Sequence, residues 1–209
     1  MNPNRSTKDA PAAQTGVPIL EHREFVAFSC FDADLFSVEA TVDHVLQGDT
    51  FTKHWEELKL PEQPYRAPMQ GTFWAPRSAQ GKTALVAQLE DGWQTLCRLI
   101  ATKGAVRTLV VRASSRHAEW PVVDFQYYED SVPKRCVRAM KDDSKWDFFQ
   151  QGEALAEEDP YRYRARRIRD RLTSEDVSSL ATKLGWPVSD EGFWSSTHQA
   201  LRVTLSRPW

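Results

Sequence analysis

Residues 122–151 constrain the fold more than any other stretch, because three β-compatible runs follow one another there with almost nothing between them. "VVDFQYYED" is followed by "SVP", then by "KRCVRAMKDD", then by "KWDFFQQGEAL". A parallel pair needs a crossover of about a dozen residues or more, so strands joined this tightly run antiparallel. The stretch predicts an antiparallel meander rather than a wound parallel sheet.

The flanking sequence adds strands and helices to that meander. "EFVAFSCF" reads as a strand, and Leu35, Val38, Val42 and Val45 recur at near-helical spacing before Gly48. "GTFWAP", "TALVAQLE" and "VRTLVVRAS" read as strands, while Trp93, Leu96, Leu99 and Ile100 share one helical face that Gly104 closes. "KLPEQPYRAPMQ", with three prolines, reads as a loop. Helical patterns run from about 160 to 184, with Thr173 and Asp176 spaced as a capping box, and "ALRVTLS" alternates as a strand with one buried face. The expectation is an α+β fold, a mainly antiparallel sheet with helices packed on it. The 209 residues suffice for one sizeable core, so residues 21–209 are read as a single domain behind a disordered polar leader, 1–20.

The formal net charge of −2 supplies no global field toward phosphate backbones or anionic lipid. A nucleic-acid role would need a local patch, and "YRYRARRIRDRL" (161–172), with six arginines and two tyrosines, is the candidate. As a helix it places Tyr161, Ala165, Ile168 and Leu172 in one apolar stripe and its arginines on the solvated arc. Between 153 and 176 seven acids face those six arginines, so the local field nearly cancels. A structural helix docked on the sheet is expected in preference to a nucleic-acid interface.

Catalytic patterns are sparse. Cys30, Cys97 and Cys136 are widely spaced and each adjoins an apolar residue, Phe31, Leu96 and Val137, which reads as buried thiols in a reducing compartment. His22, His44, His54, His117 and His198 form no metal-ligand spacing. Gly81-Lys82-Thr83 lacks the first glycine of a phosphate loop, since Pro76 stands there. No catalytic residue, cofactor or metal is therefore assigned, and the chain is expected to be cytoplasmic, without a membrane span. An enzyme with a nonlocal Cys/His or carboxylate site remains the alternative, because such sites assemble from scattered residues.

One cluster does suggest a partner. Trp146 and Phe149 lie among Asp142, Asp143 and Asp147, with Glu157, Glu158 and Asp159 just beyond. Rings left outside the core would make an aromatic anchor with an acidic rim, the composition that suits a basic protein partner. These eight residues are the predicted contact surface.

The order "ALVAQLEDGWQTLCRLIATKG", "VRTLVVRAS", "VVDFQYYEDSVPKRCVRAMKDD" and "KWDFFQQGEALAEEDPYRYRARRIRDRLTSEDVSSLATKLG", residues 83–186, resembles bacterial immunity proteins of polymorphic and secreted interbacterial toxin systems. The likeness lies in a strand with the "VRAM" pattern followed by a Trp, a "GEAL" segment, acids, and a "Y…RRI…RLT" helix leading to a helix that ends in "LG". Where such sequences often carry an aromatic after the "GEAL" segment, Glu157 and Glu158 stand here. The resemblance implies a cytoplasmic antitoxin that binds a cognate toxin domain and occludes its active site, with no catalysis of its own. It leaves the oligomeric state open.

Overall fold

The computed structural model describes residues 24–48, 50–60, 69–87, 91–115 and 117–206. The leader, His22 and most of the proline-bearing loop lie outside them. The strands are β1 (Phe25–Phe31), β2 (Phe51–Glu56), β3 (Met69–Trp74), β4 (Thr83–Ala87), β5 (Thr108–Ser114), β6 (Val122–Glu129), β7 (Val132–Asp142), β8 (Lys145–Gln151) and β9 (Ala200–Leu205). The α-helices are α1 (Leu35–Val45), α2 (Gln94–Lys103) and α3 (Ser174–Lys183). The nine strands among the described residues join one sheet in the order β2-β9-β3-β4-β1-β5-β6-β7-β8, and every neighbouring pair is antiparallel. The fold is α+β.

The expected meander is β6-β7-β8. Glu129 pairs with Val132 across Asp130 and Ser131, both at positive φ, the twist that suits a two-residue hairpin. Asp142 pairs with Lys145 across Asp143 and Ser144. Alternation then divides the side chains between two layers of core. On one face Phe28, Trp74, Leu109 and Phe125 pack with Leu172, Leu180, Trp186 and Phe193. On the other, Phe31, Phe73, Leu201 and Val203 pack with Leu35 and Val42 of α1 and with Leu96 and Ile100 of α2.

The helices carry local start signals. The Asp34 carboxylate accepts hydrogen bonds from the Phe36 and Ser37 amides, each at 3.0 Å, at the start of α1. Thr173 and Asp176 form the expected capping box of α3.

The arginine-rich segment departs from expectation. Residues 161–172 form no α-helix but two short 3-10 turns, Arg162–Arg164 and Ile168–Asp170, closed by bonds such as Arg164 N to Tyr161 O and Asp170 N to Arg167 O. Tyr161 is 79% exposed rather than part of a core stripe. The physical cause is tertiary: Tyr163 packs on Phe148 of β8, Leu172 is buried in the core, and Arg171 Nε donates to Ala165 O, so the chain is pinned along the sheet instead of coiling on itself.

Candidate functional site

The predicted contact residues centre on β8, which among the described residues pairs only with β7 and so forms one margin of the sheet. Alternation separates them. Trp146 and Phe148 turn toward the α3 side: Trp146 lines a cavity of 350 Å³, and Phe148 stacks on Tyr163 with the Arg171 guanidinium 5.4 Å from its ring. Asp147 and Phe149 project from the opposite face, paired with Met140 and Arg138 of β7. Arg138 sits 5.7 Å over the Phe149 ring, which is 41% exposed. Asp142 and Asp143 are exposed at the hairpin tip.

Glu158 corrects the sequence reading. Its side chain is 1% exposed and that of its partner Arg135 is 3%. Arg135 donates to both carboxylate oxygens at 3.0 and 3.1 Å through Nε, the Tyr163 hydroxyl donates at 2.6 Å and the Leu155 amide at 2.9 Å. Arg135 Nη1 also donates to Gly152 O at 2.7 Å. A carboxylate sealed this way is an internal anchor and has nothing left for a partner. Gly152 is needed beside it: its φ is +83°, and a Cβ there would collide with the Lys134 carbonyl.

Glu157 and Asp159 lie beyond Gly152, at the end of β8 remote from the tip, and line a small depression of 60 Å³ with Arg162 and Lys183. The strand between them and Asp142 spans about 20 Å, so the acids adjacent in sequence do not form one patch. The hairpin is also less acidic than its aspartates suggest, because Arg138, Lys141 and Lys145 balance Asp142, Asp143 and Asp147. What the structure brings together is narrower: Lys145, Asp147 and Phe149, side by side on one face. The apolar cluster beneath α1 and α2 reaches no farther toward that margin than Tyr128 of β6.

The 350 Å³ cavity is a feature the sequence did not announce. Ser115, His117 and Val123 meet Trp146, Asp170 and Leu172 there, drawn from three separated segments. No spacing motif links them, so only the tertiary fold makes the cleft visible. The thiols stand elsewhere. Burial pushes Cys30 well above its ordinary value and Cys97 up to about 12, away from the reactive thiolate form.

Among the described residues no group of three or more His, Cys, Asp or Glu converges to hold a metal ion, and no helix is long and apolar enough to cross a membrane. Comparison of the chain with models of known protein families, with curated proteins and with solved structures gives no match.

Proposed function

We propose that this chain is an immunity-type binding protein that neutralises a bacterial toxin domain by covering its active site. The observation that supports it most directly is the sheet margin at β8, where an exposed aromatic, Phe149, stands beside exposed charges on a face that the α1–α2 layer does not reach. Aromatic anchors with polar surrounds are a recurrent composition of protein interfaces. The resemblance of residues 83–186 to immunity proteins points the same way. Occlusion needs only such a surface, a rigid sheet behind it and a partner of complementary shape.

The test is affinity purification of the tagged chain from its native cells at moderate salt, followed by expression of whatever remains bound. A stoichiometric partner that kills cells when expressed alone, and kills fewer when this chain is supplied, is the expected result. Against a basic partner, replacing Asp142, Asp143 and Asp147 together by lysine turns a balanced hairpin into a repelling one and slows association about tenfold or more at low salt. Unchanged kinetics would remove this surface from the interface.

A second reading, an enzyme, is supported by the 350 Å³ cavity with His117 and Asp170 in its wall, a volume within the range of small-ligand sites. Its Cys/His form loses support, because Cys30 and Cys97 are fully buried and neither they nor the partly buried Cys136 line the cleft. Recovery of the chain without a partner would move the search to that cavity.

A further inference from the structure

We infer that β8 accepts an extended strand from a different protein, and that it reads an apolar residue, a basic residue and an acidic residue at alternate positions of that strand. The inference rests on the binding reading above and deepens it.

Hydrogen-bond parity makes the margin available. The Lys141 amide donates to Pro121 O, on the β6 side of β7, at 2.9 Å. In an antiparallel ladder successive residues turn their N–H and C=O to opposite neighbours. Arg138, Met140 and Asp142 therefore bond to their β8 partners Phe149, Asp147 and Lys145. By the same alternation Trp146, Phe148 and Gln150 direct their N–H and C=O away from β7, and no strand among the described residues takes them up. A row of outward backbone groups on a terminal strand is a template for one more strand.

Side chains decide which strand fits. On the α3 side Trp146 walls the cavity and Phe148 is covered by Tyr163 and Arg171, so that side is already occupied. On the other side Lys145, Asp147 and Phe149 stand in sequence and face whatever pairs with them. Opposite charges across a ladder stabilise and like charges destabilise. An antiparallel occupant, read from its N-terminus, therefore carries an apolar residue opposite Phe149, a Lys or Arg opposite Asp147 and an Asp or Glu opposite Lys145, with one residue between each.

A second copy of this chain meets these demands poorly. Two-fold pairing of β8 keeps outward residues opposite outward residues whichever residue it centres on, and no register supplies all three partners together. Centring on Asp147 sets that carboxylate against itself, and centring on Phe149 joins the two rings but leaves Asp147 opposite Gln151 and Lys145 opposite Glu153, beyond the end of the strand. Centring on Phe148 sets Asp147 against Phe149. Centring on Trp146 matches Lys145 with Asp147 but sets Phe149 against Asp143 in the turn, and centring on Gln150 sets Asp147 against Glu153.

The test uses the full chain, isotope-labelled, and the peptide acetyl-Thr-Val-Thr-Lys-Thr-Glu-Thr-amide, with a control in which Lys and Glu are interchanged. At peptide concentrations of about 1 mM, amide exchange at Trp146, Phe148 and Gln150 slows about tenfold, while Asp147 and Phe149, already bonded to β7, are unaffected. The control peptide produces no such slowing. In the variant Lys145→Glu/Asp147→Lys, both sites exposed, the preference reverses and the control peptide becomes the better ligand. Equal protection by both peptides, no protection by either, or a free chain that sediments as a dimer with those three amides already slow would overturn the inference. The peptide requires no toxin, so it can fail while a captured toxin still binds, and it can succeed where purification recovers no partner.

Discussion

Glu158 shows how much a single residue's role depends on what stands above it in space. In sequence it belongs to a run of acids and reads as part of a solvated rim. In the fold it accepts from Arg135, Tyr163 and the Leu155 amide and fastens residues 155–163 to β7. Removing one member of a buried ion pair strands the other, so Glu158→Ala is expected to cost about 3–5 kcal/mol in denaturant unfolding. A loss below about 1 kcal/mol would mean that Arg135 finds water or another acceptor. Nothing in "ALAEEDP" distinguishes Glu158 from Glu157, because burial is decided by Arg135, 23 residues away. Asp142, Asp143, Asp147 and Phe149, by contrast, lie exposed as read, since a hairpin tip and a terminal strand keep sequence neighbours at the surface.

Elements with a strong internal period were readable and elements held by distant contacts were not. β1, β4, β5, β9 and the hairpins of β6-β7-β8 follow from apolar alternation or short links, and α1, α2 and α3 from spacing and caps. β2 escaped notice because "FTKHWE" lies at a sheet margin with no fully buried residue, leaving no apolar period to detect. Residues 161–172 failed in the opposite way: a helical stripe exists in the sequence, but Tyr163 and Leu172 fix the chain before a helix can use it. These two tyrosines offer a direct check. Tyr161→Ala should change stability by no more than about 0.5 kcal/mol, whereas Tyr163→Ala, which loses the Phe148 stack and the bond to Glu158, should cost about 3 kcal/mol. Equal losses would restore the stripe.

Across the whole molecule, several weak acids are held neutral by burial. Cys97 and Tyr127 are each pushed up to about 12, with Cys30, Tyr128 and Tyr163 also moved upward. Unfolded, such groups ionise near about 8.5 for cysteine and about 10 for tyrosine. Their raised folded values contribute stability that is complete below those unfolded values and is lost as pH rises toward the folded ones. The thermal midpoint followed by circular dichroism should thus be level from pH 7 to about 8.5 and fall steadily above it. A midpoint that climbs over the same interval would contradict the burial of these groups. The fold class was accessible from sequence at this scale because short links dictate antiparallel pairing. The strand order was not, since the place of β9 is set by pairings with residues 128 to 154 positions earlier in the chain.

That placement governs how the protein comes into being. β9 lies between β2 and β3, and among the described residues β2 has no other neighbour. During synthesis at about 5–20 residues per second, residues 51–56 are made roughly seven to thirty seconds before the strand that receives them is complete. A nascent chain halted short of Ala200 would expose β2 entirely and β3 along one side, and those bare strands are where chaperones or aggregating neighbours would engage it.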